Sequence, residues 1–294
     1  MTFSLNDVTV VSVTYKSQRV IETMAKTLTH FPNVIVVDNA SQDGTAEAVA
    51  RQVPHARLIA NAENLGFGQA NNQAVTEVTT PFALLLNPDC EIAPSSVLTL
   101  LERMAELPSV AIAAPQGWCP DGTPQMAYRH AFYEKLPRQP YQVPEGPVSA
   151  KWLHGCCLLV RVDVFRSFGG FDKRFFLYYE DDDLCLQTLK AGYECICEPA
   201  ATALHQGGAS SQPTVQVLLK KHFNYLRSRH LAIEKYLGWP RGMAYLLQMM
   251  LGSVIAVPLY ALLLRKQHLV KWLAWGAAAW RGFAIGLLRA GPYR

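Results

Sequence analysis

The first 115 residues alternate steadily between short β-branched runs and amphipathic stretches. VTVVSVTY (8–15) is continuous and β-branched, the pattern of a strand buried on both faces. The spacing predicts a helix over 17–30, a second strand at NVIVVDNAS (33–41), and a short helix at 43–52 started by Asp43-Gly44-Thr45. ARLIAN (56–61) reads as a third strand and GFGQANNQAVTEV (66–78) as a helix opened by glycines. FALLLN (82–87) reads as a fourth strand, 94–106 as a helix and VAIAAP (110–115) as a fifth strand. Strand and helix alternating at this pace specify an α/β fold, with a parallel sheet and helices on both faces. Ligands of such sheets bind beyond the carboxyl ends of the strands, so the polar residues there are the candidates.

Residues 117–148 lose the periodicity and are rich in Pro, Gly, Tyr and Arg, which reads as a long functional loop. WLHGCCLLVRV (152–162) is a strand by pattern, 183–191 a helix, and CICEPAATALH (195–205) a strand-like run. Beyond residue 214 the pattern is helical and then strongly apolar: GMAYLLQMMLGSVIAVPLYALLL (242–264) carries no charge. That length meets the ~20 residues a bilayer crossing needs. A second apolar stretch, 269–288, is interrupted by Lys271 and Arg281. Trp, Tyr, Lys and Arg cluster at the ends of both, which favours a membrane role over a pair of core helices, and Pro258 with the interrupted second stretch favours a re-entrant or interfacial hairpin over a simple crossing. The expected organisation is one α/β domain in two parts (1–115 and 116–230) followed by an apolar membrane-associating region (231–294).

Composition excludes some classes. A net charge of +4 with no basic run interleaved with aromatics argues against nucleic acid. Seven cysteines, an odd number without a CxxC pair, argue against a secreted disulfide scaffold and a structural zinc site. The N-terminal MTFSLNDVTVV lacks the charged-then-apolar plan of a signal peptide, so the expectation is a cytoplasmic location for the bulk of the chain.

The strand-end polar residues carry the chemistry. Asp38 closes the second strand, where a carboxylate can accept hydrogen bonds from a base or ribose; a turn-forming Asp accounts for it equally. NAENLGFGQANNQA (61–74) puts Asn64, Gly66 and Gly68 at a loop-to-helix junction, where backbone can approach a ligand closely. LLLNPDCEI (84–92) delivers Asp89 at a strand tip with Glu91 two residues on, oxygen donors of the kind a hard cation needs; a solvated Asn-Pro-Asp turn describes the stretch as well. In FFLYYEDDDLCLQTLKAGY (175–193), Glu180-Asp181-Asp182-Asp183 follow an aromatic wall directly. Acids at a helix start complement its dipole, and partial desolvation beside aromatics raises basicity, as a general base requires. ALHQGGASS (203–211) ends a strand in His205, a core residue or a metal ligand; the glycines behind it favour the ligand.

Taken in order, VTYKS, VVDNASQDGT, NLGFGQANN, LLNPDCEI, the 152–193 block and LHQGGASS resemble the family 2 inverting glycosyltransferases of GT-A fold, and among them the bacterial rhamnosyltransferase-like group. The resemblance covers roughly residues 7–230 and implies a Rossmann-like, mixed but mainly parallel sheet. It implies that Asp38 holds the donor's nucleobase, that Thr14 and Tyr15 line the base site, and that Asn64, Gly66, Phe67 and Asn71 pack around the nucleotide. Asp89 matches the last acid of the family's metal motif, whose first acid is here Asn87, and His205 matches the late His completing the Mg²⁺ or Mn²⁺ site. Asp181 matches the catalytic base, with Glu180 beside it, and Asp183 the motif's second acid; Gln187 stands where the family often has Arg. Trp152, His154 and Gly155 match the acceptor-side wall, to which Tyr179 and the other aromatics contribute.

The resemblance therefore implies transfer of a sugar, rhamnose from its deoxythymidine-diphosphate donor in that group, to a hydroxyl of a lipid-linked glycan. The expected setting is the cytoplasmic face of the cytoplasmic membrane, with the chain peripheral or monotopic. A polyprenol-phosphate sugar synthase and a catalytically silent nucleotide-sugar-binding scaffold are the competing readings, and a nucleotidyltransferase ranks last because no Gly-rich loop with Arg and Lys follows the first strand.

Overall fold

The computed structural model describes residues 3–134, 140–207 and 214–289. The alternation is realised as β1 (Val8–Thr14), α1 (Ile21–Leu28), β2 (Asn33–Asp38), α2 (Thr45–Gln52), β3 (Arg57–Ala60), α3 (Phe67–Glu77) and β4 (Phe82–Leu86). There follow β5 (Cys90–Ile92), α4 (Pro94–Glu106), β6 (Val110–Trp118), β7 (Tyr128–Arg129), β8 (Val148–Ser149), β9 (Trp152–Leu153) and β10 (Cys157–Arg161). The remaining elements are α5 (Val162–Ser167), α6 (Glu180–Lys190), β11 (Glu194–His205), α7 (Val215–Leu237), α8 (Trp239–Leu262) and α9 (Lys266–Arg289).

The chain divides into two compact units, Met1–Lys173 with Glu180–Ser211, and Arg174–Tyr179 with Gln212–Arg294. The expectation of a boundary at 230 therefore differs from the observed division, which groups α7 and the aromatic run 174–179 with the apolar helices.

In the first unit the sheet runs β3-β2-β1-β4-β10-β6-β11-β5, with β8 also paired to β11. β3, β2, β1 and β4 are parallel neighbours. The sheet is mixed because β10 lies antiparallel between β4 and β6, and β5 antiparallel on β11. β11 runs parallel to β6, with a register shift between Glu198 and Thr202. Residues of opposite parity along each central strand face opposite cores. Val8, Val10, Val34, Val36, Leu84 and Leu86 pack with α1, α2 and α4. Val11, Val13, Ile35, Val37, Ala83 and Leu85 pack with α3, α5 and α6. Burial on both faces is why these strands read as unbroken apolar runs.

Three expected elements change. The strand foreseen at 152–162 breaks into β9 and β10 at a His154–Cys156 turn, and β9 pairs with β7 in a separate small sheet. The helix foreseen from 183 begins at Glu180, so all four acids form its first turn. The strand at 110–115 extends to Trp118.

In the second unit Leu226, Met243, Leu246, Met250, Ala278 and Ala279 form the core of the three helices. Small residues let α8 and α9 approach closely: a Cβ on Gly276 would meet Ser253 Oγ at 2.9 Å. The aromatic run is tied to α7, with Ser228 Oγ donating to Leu177 O (2.9 Å) and Tyr179 against Tyr225 (ring centroids 5.6 Å). Tyr178 and Tyr179 hold left-handed φ of 70° and 67°, unusual for bulky residues.

Candidate active site

The parallel run of β2, β1 and β4 puts their carboxyl ends on one edge of the sheet, with Thr14 in register with Asp38. β6 and β11 end on the same edge. β10 starts there because it is antiparallel, pairing Cys157 with Leu86. Topology thereby collects Thr14, Asp38, Asp89, the 154–156 turn and His205 from distant parts of the chain.

At the β2 end the Asp38 carboxylate is buried. It accepts from Thr14 Oγ1 (3.1 Å), the Ser41 amide (3.1 Å) and Ser41 Oγ. It caps its own turn and also lines a cleft of about 460 Å³ together with Ser41, Gln42, Gly44, Thr45 and Asn61. The turn-forming reading of Asp38 is the one these hydrogen bonds describe, and the residue also borders open space. Ala40 and Gln42, which line this cleft, hold left-handed φ of 64° and 54°, the local strain that concentrates at ligand clamps. Thr14 is wholly buried, whereas Tyr15 is exposed.

The loop that precedes α3 is held by a residue the sequence reading passed over. Asn39 Nδ2 donates to Asn64 Oδ1 (2.9 Å) and Gly66 O (3.2 Å), and its Oδ1 accepts from the Leu65 amide (3.0 Å). Asn64 Oδ1 also accepts from the Gly66 amide (2.9 Å), so this side chain shapes the loop. Gly66 has φ +86°, which only glycine adopts without strain. Asn71 is buried, with Nδ2 on Phe67 O (2.9 Å), and Phe67 packs edge-on against Phe171.

At the next strand end, pairing of β5 with β11 sets His205 opposite Cys90 and brings His205 Nε2 to 3.4 Å from Asp89 Oδ1; both side chains are buried. His205 Nδ1 lies 3.1 Å from Gln125 Oε1. An Nδ1–H donated to that amide oxygen leaves the Nε2 lone pair facing the carboxylate, the arrangement of a metal-ligating His. Asn87 Oδ1 is buried without a hydrogen-bond partner among the described residues. A carboxylate oxygen, an imidazole nitrogen and an amide oxygen nearby in sequence fit Mn²⁺ and, less tightly, Mg²⁺. Of the glycine-rich stretch after His205, residues 208–211 lie outside the described residues.

The acid run resolves into distinct environments. Asp181 alone of the four is only half-buried. Its Oδ2 accepts from the Gly155 amide (3.3 Å). Glu180 is buried, and burial together with the Asp181 charge pushes its carboxyl up to about 8. Asp182 takes both Oδ atoms to Arg129 Nη2 at 2.7 Å. Its carboxyl still sits at about 7, because burial and Asp181 outweigh the guanidinium. Arg129 also stacks over the Trp152 ring (4.3 Å), its register partner between β7 and β9. Asp183, expected on the acceptor side, is completely buried and accepts from Gln187 Nε2 (2.7 Å), so it anchors the helix rather than meeting solvent. Trp152 is buried, and His154 and Gly155 form the turn against Asp181. Tyr179 belongs to the second unit.

A sequence profile described as Glycosyl transferase family 2 matches residues 9–169. The chain belongs to glycosyl transferase family 2. This family 2 member is 30% identical over 260 residues to the N-acetylglucosaminyl-diphospho-decaprenol L-rhamnosyltransferase of Mycobacterium tuberculosis, covering 75% of this chain and 84% of that protein. Its fold is that of GT-A glycosyltransferase structures. The mannosyltransferase PcManGT of Pyrobaculum calidifontis, in complex with GDP-Man and Mn²⁺, superposes with a TM-score of 0.57 at 16% identity, over 98% of this chain and 87% of that one. GalNAc-T7 with UDP, GalNAc and Mn²⁺ superposes with a TM-score of 0.53 at 15% identity, over 75% of this chain and 47% of that one.

Proposed function

We propose that this family 2 glycosyltransferase is an inverting rhamnosyltransferase. It moves rhamnose from the deoxythymidine-diphosphate sugar to a hydroxyl of an N-acetylglucosaminyl diphospholipid glycan. The rhamnosyl donor and diphospholipid acceptor class rest on the mycobacterial relative's activity. The observation that carries the mechanistic reading is the half-buried Asp181, aimed by the Gly155 amide and placed on the same sheet edge as the Asp89–His205 pair.

Asp38 and the cleft beside it receive the base and ribose; Thr14 backs that site, Tyr15 flanks it, and Gly66, Phe67 and Asn71 close around the nucleotide. Asp181 accepts the proton of the acceptor hydroxyl, and the freed oxygen attacks the anomeric carbon opposite the leaving diphosphate. One in-line displacement inverts the configuration. Asp89 and His205 would hold Mn²⁺ or Mg²⁺, which when bound neutralises charge on the diphosphate. Asp182 locked on Arg129 and Asp183 on Gln187 keep the helix start fixed, so that Asp181 is the group left to act. Trp152 and His154 wall the acceptor side.

Membrane attachment is assigned to α8. It is the one helix among the described residues that is long and apolar enough to cross a bilayer. Leu247, Leu251, Val254, Ile255, Leu259 and Leu262 are exposed along it at helical spacing. We place the chain on the cytoplasmic face of the membrane, where nucleotide sugars are made.

The test is a panel of nucleotide sugars incubated with the protein and membrane-extracted acceptor lipid, reading nucleotide diphosphate release and the anomeric configuration of the product. Rhamnosyl transfer with inversion, lost in Asp181→Asn while donor binding persists, is expected. Transfer only to a polyprenol phosphate, or transfer undiminished in Asp181→Asn, overturns the reading.

A further inference from the structure

The turn between β9 and β10 brings a different donor chemistry to the same place. Asn87 N–H donates to Cys156 O (2.8 Å), joining this turn to the loop that carries Asp89. One ligand atom each from His154, Cys156 and His205 lies within 4.8 Å of the other two. The rings of His154 and His205 are 5.3 Å apart between centroids. His154 Nδ1 is buried and has no hydrogen-bond partner among the described residues. The His154 side chain is also hydrogen-bonded to the Cys156 thiol, so the two donors already meet. Cys156 is buried beside it, and Asp89 Oδ1 stands 3.4 Å from His205 Nε2. Two imidazoles, a thiol and a carboxylate are a tetrahedral, thiophilic donor set; Mg²⁺ has no use for half of it.

We propose that His154 and Cys156, with His205, form a soft-cation site for Zn²⁺-class ions that shares His205 with the Asp89 pair. A Zn²⁺ ion there excludes the hard cation and stops transfer. On binding, the Cys156 thiol forms an S–metal bond and releases its proton to solvent. Zn–S and Zn–N bonds of about 2.3 and 2.0 Å put tetrahedral neighbours roughly 3.5 Å apart, so the three side chains close on the ion by rotations of about an ångström. The inhibition rests on the assignment of Asp89 and His205 to the donor's cation; the binding does not.

The experiment titrates the full-length, metal-free protein with Co²⁺ in the absence of nucleotide. A near-ultraviolet thiolate-to-cobalt charge-transfer band with tetrahedral visible bands is expected. The charge-transfer band is lost in Cys156→Ala and retained in Cys90→Ala, and Co²⁺ affinity falls about 10-fold or more in His154→Gln. Thermal melts of each variant establish that it is folded, and His154→Gln keeps the test open should Cys156→Ala fail to fold. A wild-type spectrum without the charge-transfer band, a band unchanged in Cys156→Ala, or an unchanged affinity in His154→Gln overturns the proposal. A protein that binds Co²⁺ through Cys156 yet turns over no nucleotide sugar sinks the transferase reading and leaves this site standing. Turnover with a thiol-independent Co²⁺ spectrum does the reverse.

Discussion

The Gly155 amide lies 3.3 Å from Asp181 Oδ2, and a Cβ on Gly155 would come within 3.1 Å of Asp181 Cβ. Gly155 is not among the residues with positive φ, so alanine is permitted by the backbone there and its effect falls on Asp181. Gly155→Ala should lower kcat about 10- to 100-fold, the cost of a displaced reacting group, while leaving the donor KM and the melting temperature close to wild type. Steady-state kinetics beside a thermal melt check it. A wild-type kcat would dissociate the turn from the base.

The Gln125 amide sets the His205 ring from outside. Gln125→Leu removes the acceptor for Nδ1–H and should weaken Mn²⁺ binding about 10- to 100-fold. Gln125→Glu retains an acceptor and should recover most of it. Mn²⁺ titration followed by electron paramagnetic resonance reads this directly, and equal affinities in the leucine variant and wild type would remove Gln125 from the site.

Glu180 makes stability depend on pH. Its folded carboxyl is raised from 4.5 to about 8, so the folded chain holds a proton that the unfolded chain releases. Stability therefore falls as pH rises from about 4.5 to 8, by at most about 1.4 kcal/mol per pH unit for one proton. Glu180→Gln should flatten that slope and gain most over wild type at pH 9. Urea unfolding across the range is the measurement; parallel curves for the two proteins contradict the assignment.

Arg129 and Asp182 form a half-buried bidentate pair, with the Asp side chain only 5% exposed. Removing the guanidinium strands a buried carboxylate where Asp182 is ionised, so Arg129→Met should cost about 3 kcal/mol in alkaline buffer and less at neutral pH, where the carboxyl takes up a proton. Asp182→Asn on that background should restore part of the loss. A double-mutant cycle by denaturant melts gives the coupling, and a coupling near zero would make the pair dispensable.

The exposed apolar stripe of α8 is the proposed membrane face. Leu251→Glu with Ile255→Glu puts charge at two exposed positions of that stripe, 60% and 70% exposed, so the folded core should be spared. Binding to vesicles of phosphatidylethanolamine and phosphatidylglycerol should fall at least about 10-fold, since each large apolar side chain buried contributes about 1.5–3 kcal/mol. Flotation separates bound from free protein, and unchanged flotation would assign the stripe another partner.

The sequence by itself determined the α/β plan and most central elements. Strands buried on both faces must be continuous apolar runs, and helices covering them must be amphipathic, so β1, β2 and β4 and α1 to α4 were legible in order. The strand-end residues Asp38, Asp89 and His205 were legible for the same reason: a polar group at the tip of a buried run has one edge on which to stand. The tertiary structure decided what no spacing contains. The antiparallel insertion of β10 beside β4 brings His154–Cys156 to the Asp89 loop, and pairing of β5 with β11 sets Asp89 against His205. Gln125, Arg129 and Asn39 carried no local signal, because an isolated Gln, Arg or Asn reads as solvated surface until a strand from elsewhere supplies the carboxylate, ring nitrogen or loop backbone it binds. Likewise, four adjacent acids read alike along the chain. The helix turn rotates each side chain by about 100°, and only the packed surroundings make Asp183 an anchor, Asp182 an ion pair, Glu180 a buried acid and Asp181 the one left facing outward.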